Sequence, residues 1–378
     1  MKLAHISDLH IGKRVNEFSL IEDQEYILKQ ILNIIDVTKV DGVIIAGDVY
    51  DKATPSAEAV MAFDGFLVEL AKRKIEIFII SGNHDSSERL AFGNKLFSAS
   101  GVHISPVYDG TFVKHTLVDS HGALNVYMLP FIKPTHVRKY SDKEINSYTD
   151  AVKIAIEQMG VDPSERNVLI THQFVTGSER SESEELSVGG SDNVDASIMD
   201  AFDYVALGHL HKPQACGREG IRYCGSPLKY SFSESRDEKS VTIVTFEGKN
   251  SLKIDTYPLI PLRDMVEIRG TYNELCAKSF YENTTYQSDY MHITLTDEQD
   301  VPDAINKLRI IYTNLMKLDY DNKRTRESNE LSTIENIENK TPLELFLELY
   351  EQQNNEKMSS EQASLVQELI EKIWEGDK

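Results

Sequence analysis

Two histidines separated by one leucine end the segment YVALGHLH, which spans Tyr204 to His211. Imidazole is a common metal ligand, but histidine is also an ordinary surface residue. The pair can therefore be two solvated side chains or two ligands at the end of a buried strand. The segment alone is compatible with both interpretations, so the rest of the chain has to distinguish them.

Four other segments show the same pattern, an apolar run that ends in Asp, Asn or His. The runs LAHI, GVIIA, IEIFII and NVLI are followed by SDLH, GDVYD, SGNHD and THQF. The polar side chains at the five strand ends are Asp8, His10, Asp48, Asp51, Asn83, His84, Asp85, His172, His209 and His211. Each motif alone occurs by chance in many proteins, but five such clusters in one chain favour a shared site.

The residue types indicate which site this would be. Carboxylate, amide and imidazole ligands together suit borderline divalent metals, and no cysteine is present among them to select a softer ion. Even if only seven of these ten side chains are ligands, they are too many for one tetrahedral ion. They suit two ions about 3.5–4 Å apart, bridged by a carboxylate. Such a pair would polarise a phosphoryl group and supply a nucleophile near neutral pH, so the pattern predicts two-metal hydrolysis.

The elements that must position these residues alternate between strands and helices. Apolar residues at helical spacing predict helices over Leu20–Val37 and Ser56–Lys72, between the first strands. Strand–helix alternation predicts an α/β fold. In open α/β sheets, ligands bind beyond the carboxyl ends of the strands, which is where all five clusters lie.

The pattern changes after about Pro261, and four segments are predicted. Residues 1–262 would form the main domain, and residues 263–321 a small α+β domain with a helix over Val301–Leu315. Residues 322–340 are polar and poorly periodic, as is typical of a linker. Residues 341–378 are predicted to form two amphipathic helices, Pro342–Gln353 and Ser360–Trp374, each starting at a residue typical of a helix start.

The net charge of −21 argues against a nucleic-acid-binding protein, because phosphate contacts need Lys and Arg. The acid is uneven, however, since residues 327–378 carry 13 acidic and 4 basic residues, a net charge of −9. A bound metal pair would also add positive charge where a phosphate has to lie. Net charge therefore weakens a nucleic-acid interpretation without excluding it.

The sequence favours a cytoplasmic protein. No stretch approaches the ~20 apolar residues of a membrane helix, and the N-terminus MKLAHISDLH has no apolar region of a signal peptide. The three cysteines, Cys216, Cys224 and Cys276, give no disulfide framework. We therefore expect no membrane association and a reducing compartment.

The order D-x-H, G-D-x-x-D, G-N-H-D, a lone His and G-H-x-H resembles that of the calcineurin-like metallophosphoesterases. The segments SESEELSVGG, YVALGHLHKPQ and YCGSPLKYSFSE narrow the resemblance to the bacterial SbcD nuclease subunits, over nearly the whole chain. The resemblance implies a two-layered α/β metallophosphoesterase sandwich with a small α+β capping domain and a C-terminal helical pair.

The resemblance also implies a role for each polar residue. One ion would be held by Asp8, His10, Asp48 and His211. The other would be held by Asp48, Asn83, His172 and His209, with Asp48 as the bridge. The ions would be two Mn²⁺, with Mg²⁺ or another divalent metal as alternatives. His209 and His211 would point the same way from an extended segment, with Leu210 turned into the core.

His84 would act on the phosphoryl group or the leaving oxygen, as a general acid or a transition-state donor. Such a role requires that its other ring nitrogen be held, and Asp51 is the candidate for that task. Asp85 is better explained as a turn cap. The protein serine/threonine phosphatases have an arginine where this chain has Lys52, which argues against that subfamily.

The function that the resemblance implies is a manganese-dependent DNA nuclease subunit in repair, recombination and replication. It would be a double-strand exonuclease and single-strand endonuclease acting at DNA ends and hairpins. The alternatives are a small-molecule phosphodiesterase or phosphatase of the same superfamily and a scaffold with a purely structural metal. The intact His84 argues against the scaffold.

The resemblance implies two kinds of protein partner. Homodimers would pair through Ala57–Leu70 and Leu90–Phe97, unless these apolar residues only pack on the sheet. The chain has no G-x-x-x-x-G-K-[ST] loop, so an SbcC-type ATPase would join in trans to form a heterotetramer. Two apolar stripes on the terminal helices are expected to bind the ATPase, unless the two helices pack on each other or on the capping domain. The stripes are Leu343, Phe346, Leu347 and Tyr350, and Val366, Leu369, Ile370, Ile373 and Trp374.

Overall fold

The computed structural model describes residues 1–179, 181, 184, 192–323, 341–354 and 357–374. Its first sheet has six strands. In spatial order these are Ser251–Pro258, Ser240–Gly248, Lys2–Ile6, Gly42–Ala46, Glu76–Ile80 and Val102–Ile104. The last four run parallel, Ser240–Gly248 pairs antiparallel with Lys2–Ile6, and Ser251–Pro258 pairs antiparallel with Ser240–Gly248.

Helices Ile21–Thr38 and Ala57–Lys72 connect the first parallel strands, as the apolar spacing predicted. Ser56 caps the second of them by accepting a hydrogen bond from Ala59 N. A short hairpin, Arg14–Val15 with Phe18–Ser19, precedes the first helix. The short helices Ser87–Leu90, Asn94–Phe97 and Ser98–Ser100 follow the third parallel strand.

The second sheet also has six strands, four of them parallel. In spatial order these are Gln214–Cys216, Arg218–Tyr223, Tyr204–Gly208, Arg166–His172, Gly122–Leu129 and Val113–Asp119. Its helices are Pro134–Arg138, Tyr148–Gln158 and the single-turn Ala196–Met199. The strands predicted from NVLI and YVAL are the two central ones.

The two sheets pack face to face, and the helices cover their outer faces. Ile44 and Phe78 of the first sheet are fully buried in one cluster with Val168 and Ala206 of the second. Separate clusters join each sheet to its own helices. Because both faces are covered, the central strands are continuously apolar and do not alternate. The sandwich predicted for the main part of the chain is confirmed.

A small third sheet follows, built from Met265–Gly270, Tyr290–Leu295 and Leu315–Tyr320. All three strands run parallel, with helices Tyr272–Leu275, Lys278–Tyr281 and Ala304–Arg309 in the crossovers. The helix predicted over Val301–Leu315 is much shorter than expected. Asp303 adopts a left-handed φ of 54° just before it, and the chain must turn after Arg309 to bring Leu315 into the sheet.

This small unit contacts the first sheet's helical layer through charged groups, ring pairs and buried apolar residues such as Met265 and Met316. Asp23, which is 1% exposed, accepts hydrogen bonds from Arg263 at 2.8 Å and from the Tyr290 hydroxyl at 2.7 Å. The Phe232 ring lies against His292, with 5.2 Å between ring centroids. Phe232 belongs to the single-turn helix Phe232–Glu234, which therefore touches the small unit directly.

The last two helices are Pro342–Asn354 and Ser360–Trp374, at the predicted positions. Thr341 and Glu344 form reciprocal hydrogen bonds at the first helix start, and Ser359 and Gln362 do so at the second. Most of the predicted linker, residues 324–340, lies outside the described residues. In the described part of the chain, no helix is both long and apolar enough to cross a bilayer.

Candidate metal centre

The polar clusters meet where the parallel strands of both sheets end. Asp8, Asp48 and Asn83 follow three strands of the first sheet, and His209 follows a strand of the second. His172 is the last residue of its strand. Because the two sheets face each other with these ends on the same side, side chains far apart in sequence lie within contact distance.

Sharp backbone turns aim the side chains at the site. Asp8, His10, Asp48 and His209 have φ angles of 53°, 41°, 49° and 105°. Each non-glycine residue in the left-handed region costs about 1–3 kcal/mol, and such residues cluster at functional sites. The expected extended segment at His209 is thus bent instead, because the strand ends at Gly208, although Leu210 is fully buried as predicted.

The two loops that carry Asp8 and Asp48 hold each other through their main chains. Asp8 N donates to Gly47 O at 3.0 Å, and His10 N donates to Asp48 O at 3.0 Å. The fit is tight, since a Cβ on Gly82 would lie 2.1 Å from Asp48 Oδ1. Asp48 therefore has little freedom to leave its position.

One group of ligand atoms surrounds His10. Its Nε2 lies 3.1 Å from His211 Nε2 and 3.6 Å from Asp48 Oδ2. Asp8, His10 and His211 each offer an atom to a common point, with all three atoms within 4.8 Å of one another. Two imidazole nitrogens this close are satisfied together by a cation, because each can present a lone pair to it.

A second group surrounds Asn83 and His172. Asn83 Oδ1 lies 3.0 Å from His172 Nε2 and 3.0 Å from His209 Nδ1. His172 Nε2 also lies 3.3 Å from Asp48 Oδ2. Asp48 Oδ2 is therefore near both groups, which is the position that a bridging ligand needs. All seven sequence-predicted ligands are brought together, and their oxygen and nitrogen donors fit two divalent ions.

Burial and charge set the protonation of these groups. Burial opposes ionisation of Asp48, but His172, with His84 and His10, holds the pKa of its carboxyl well below the usual value. Burial likewise lowers the pKa of His10 well below its ordinary value, which keeps its ring neutral. An ionised carboxylate and a neutral imidazole are the forms that bind metals.

His172 is oriented by the main chain. Its Nδ1 donates to Ala46 O at 2.8 Å, which leaves Nε2 directed at Asp48. Burial would lower the pKa of His172, but Asp48 beside it raises the pKa to about 9, so a metal ion would have to displace a proton from this ring. A hydrogen bond from the outer ring nitrogen fixes the tautomer of a ligating histidine.

His84 lies at the edge of the site, with its Nε2 4.0 Å from Asp48 Oδ2. Its Nδ1 lies 3.1 Å from the main-chain oxygen of Asp51, whereas the Asp51 carboxylate accepts from Lys13 Nζ at 2.8 Å. The predicted orienting residue is therefore in contact with His84 through its main-chain oxygen, an atom that the prediction did not specify. The turn after Asp48 directs the Asp51 side chain toward Lys13 and its carbonyl toward His84.

Asp85 is a turn cap, as predicted. Its carboxylate accepts hydrogen bonds from the main-chain nitrogens of Gly82, Val49 and Tyr50 at 2.9–3.1 Å. Burial, together with the charge of Asp48, raises the pKa of Asp85 to about 6. Asp85 thus joins the loop of Asn83 to the loop of Asp48.

Sequence reasoning missed a buried carboxylate behind His211. Glu234 is 0% exposed, and its Oε1 lies 3.4 Å from His211 Nδ1. Glu234 is the last residue of YCGSPLKYSFSE, a segment that served only to identify a family resemblance. No local motif marks it, because it reaches the site from the single-turn helix Phe232–Glu234.

Comparisons with known proteins give two family matches. Residues 1–213 match the family described as calcineurin-like phosphoesterase. Residues 261–354 match the one described as type 5 capsule protein repressor C-terminal domain. The chain is also 32% identical to the SbcD subunit of the nuclease SbcCD from Staphylococcus epidermidis over 382 residues, which covers 100% of both chains.

Two solved structures are similar at low identity. A dimetal phosphatase from Danio rerio has a TM-score of 0.43 and 11% identity, covering 69% of this chain and 96% of its own. A protein of Thermus thermophilus has a TM-score of 0.40 and 12% identity, covering 68% of this chain and 98% of its own.

Proposed function

The chain belongs to the calcineurin-like phosphoesterase family, within the group of SbcD nuclease subunits, and on this premise we propose that it hydrolyses phosphodiester bonds in DNA. The observation that carries the proposal is the position of Asp48 Oδ2, 3.3 Å from His172 Nε2 and 3.6 Å from His10 Nε2. One carboxylate oxygen between two sets of imidazoles is the arrangement that a two-metal hydrolase requires. The substrate class follows from the full-length similarity to a nuclease subunit.

The proposed cofactor is a pair of Mn²⁺ ions. The first would be held by Asp8, His10, Asp48 and His211. The second would be held by Asp48, Asn83, His172 and His209. When bound, the ions supply positive charge that polarises the phosphoryl group and acidifies the attacking water. Mg²⁺ or another divalent metal fits the same oxygen and nitrogen donors.

His84 is proposed to give a proton to the leaving oxygen. The Asp51 carbonyl can only accept a hydrogen bond, so His84 Nδ1 carries a proton in this geometry. The neutral ring then has no proton on Nε2, and His84 can donate only as the imidazolium. After transfer from Nε2, the neutral ring keeps the same hydrogen bond and the same orientation.

The test of this function uses the purified full chain with Mn²⁺ and, in parallel, Mg²⁺. Linear duplex DNA, hairpin DNA and a chromogenic phosphodiester are offered separately, with a chelator as the control. We expect metal-dependent cleavage of both DNA substrates. Hydrolysis of the chromogenic diester while both DNA substrates stay intact would instead identify a small-molecule phosphodiesterase.

We also assign the segments of the chain by function. Residues 1–262 would form the nuclease domain, residues 263–321 the capping domain, residues 322–340 a linker, and residues 341–378 a partner-binding segment. The assignment is supported by the last sandwich strand ending at Pro258 and the small sheet beginning at Met265. A cytoplasmic location is part of this proposal, and the three cysteines are free thiols, which suits a reducing compartment.

The proposed partner of the last segment is an SbcC-type ATPase. Phe346, Leu349, Leu365 and Leu369 are 45–57% exposed on the two terminal helices. Amphipathic helices commonly bind partners through such apolar residues. Of the residues in the predicted stripes, Ile373 and Trp374 lie outside those whose side chains are described.

Removal of residues 341–378 is expected to abolish co-purification with the ATPase, while Mn²⁺-dependent cleavage of short DNA is retained. Phe346→Lys with Leu369→Lys should act in the same direction, because it places charge in an apolar interface. Glu351→Lys, at an exposed position of helix Pro342–Asn354, is the matched control and should bind the ATPase normally. Undiminished binding by the truncated chain would place the docking site elsewhere.

A homodimer is proposed on a second apolar surface, and a heterotetramer with two ATPase subunits would follow from it. Met61, on helix Ala57–Lys72, is 66% exposed, and Phe92 and Leu96, in the region of the short helices, are 81% and 79% exposed. Contiguous exposed apolar side chains mark interaction sites, and Phe92 and Leu96 are close together in the chain. These residues belong to the segments for which the sequence predicted a dimer contact.

Phe92→Glu with Leu96→Glu is expected to convert the dimer to a monomer in light scattering at micromolar concentration. Loss of two buried apolar side chains costs about 3 kcal/mol or more, roughly a hundredfold in the dissociation constant. Val37→Glu is the control, because Val37 is 77% exposed on helix Ile21–Thr38, outside the two segments predicted to form the dimer contact. A monomeric wild-type chain would contradict the proposal.

A further inference from the structure

Behind the metal-facing ring of His211 lies a buried charged pair, Glu234 and Lys239. Glu234 is 0% exposed and Lys239 is 4% exposed. Glu234 Oε2 accepts from Lys239 Nζ at 2.6 Å, while its other oxygen, Oε1, lies 3.4 Å from His211 Nδ1. Burying two charges is costly, and replacing such pairs by apolar residues is often neutral or stabilising. The buried pair is therefore explained by a role other than stabilising the fold.

Lys239 holds His211 from a second direction. Its Nζ donates to the His211 main-chain oxygen at 2.8 Å and to Ser226 Oγ at 3.1 Å. The same His211 oxygen accepts from Ser226 N at 3.1 Å. The main chain of His211 is thus fixed by Lys239, and its ring is fixed by the carboxylate that Lys239 also binds.

The chemistry of Glu234 determines the tautomer of His211. Glu234 Oε2 lies 2.6 Å from Lys239 Nζ, and this ion pair is made by the ionised carboxylate. A carboxylate only accepts hydrogen bonds, so His211 Nδ1 must carry the proton. The lone pair is then on Nε2, the atom that lies 3.1 Å from His10 Nε2.

We infer that Glu234 is a positioning residue that fixes the ring and tautomer of His211 and thereby sets the affinity of one of the two metal sites. The inference rests on the proposed function only in taking His211 as a metal ligand. The affected site is the one attributed to Asp8, His10, Asp48 and His211. The other site, in which His172 is oriented by Ala46 O, does not depend on Glu234.

Two double variants separate the hydrogen bond from the charge pair. Glu234→Gln with Lys239→Met removes both charges but keeps an acceptor for His211 Nδ1. Glu234→Leu with Lys239→Met removes the acceptor as well. Calorimetric titration of the full chain with Mn²⁺ is expected to show near-normal binding at both sites for the first variant. The second should lose about 10–100-fold in affinity at one site, the usual cost of losing such an outer partner.

A remote pair serves as the matched control. Asp203 accepts from Lys249 Nζ at 2.9 Å, and Asp203 precedes the strand Tyr204–Gly208, at the end opposite the metal centre. Asp203→Asn with Lys249→Met should leave both Mn²⁺ affinities unchanged. Equal affinities in the Gln and Leu double variants at Glu234 would overturn the inference.

A measurement on the wild-type chain covers the case in which the leucine variant does not fold. Long-range proton–nitrogen NMR of the metal-free chain reports the tautomer of each histidine, and the His211 signal is assigned by its loss in His211→Asn. We expect a protonated Nδ1, and a protonated Nε2 with bare Nδ1 would overturn the inference. Neither readout requires DNA cleavage, so a chain that binds Mn²⁺ as described but leaves DNA intact would refute the proposed function alone.

Discussion

Replacement of Asp48 by alanine is expected to remove both metal ions and to reduce phosphodiester hydrolysis at least about a thousandfold. Asp48 Oδ2 lies within 3.6 Å of imidazole nitrogens in both ligand groups, so both ions lose a ligand at once. Metal ions contribute several kcal/mol of charge stabilisation in such transition states, and each 1.4 kcal/mol is a factor of ten in rate. Elemental analysis after dialysis measures the metal content directly.

The control for Asp48 is a carboxylate assigned to one ion only. Asp8 also accepts a hydrogen bond from His209 N at 3.0 Å. Alanine at position 8 would therefore also free the loop that carries His209, an assigned ligand of the other ion. Asp8→Asn keeps an oxygen for that bond and should weaken mainly one ion. Two tightly held ions in Asp48→Ala would disprove the bridging assignment, provided that circular dichroism shows a folded chain.

His84→Ala is expected to leave the metal content intact and to lower turnover by about 10²–10⁴-fold, the usual range for a lost acid–base group. The loss should be smaller for a diester with an acidic leaving group, because that oxygen needs less help from a proton. Turnover of a series of chromogenic diesters with the same metal content measures both effects.

A rival role for His84 can be tested in the same experiment. His10, Asp48 and His84 also offer three atoms close enough to hold an ion. If His84 is a ligand, metal loss should parallel the loss of activity in His84→Ala. Asp51→Ala is the companion variant, and it should be milder because the orienting atom is the Asp51 carbonyl, which alanine retains.

The local sequence pattern predicted the strands and the polar clusters at their ends, because both depend on short-range rules, whereas the roles of the ligands were implied by the family resemblance. A continuous apolar run such as GVIIA indicates a strand covered on both faces, and parallel strands end on the same side of a sheet. Asp48 and His172 could therefore be assigned to one site from their place after such runs. The helix over Ala57–Lys72 was likewise predictable, because its apolar spacing and its cap at Ser56 are local.

Other features depended on geometry that no short segment contains. Glu234 is 23 positions after His211, and only the return of the chain brings its carboxylate behind that ring. The sequence named Asp51 but not its carbonyl, because the left-handed turn at Asp48 decides which atom faces His84. The parallel pairing of the small sheet also depended on its crossovers rather than on the composition of its strands.

The division of the ligands between two sheets has a consequence for biosynthesis. The first sheet supplies its four donors within the first 83 residues, whereas the second supplies its histidines between positions 172 and 211. At about 5–20 residues per second, a ribosome needs on the order of ten seconds to go from position 83 to position 211. Until His211 is made, the nascent chain lacks at least one of the seven assigned donors. A polypeptide whose translation stops before His211 therefore lacks at least one donor of the proposed metal centre.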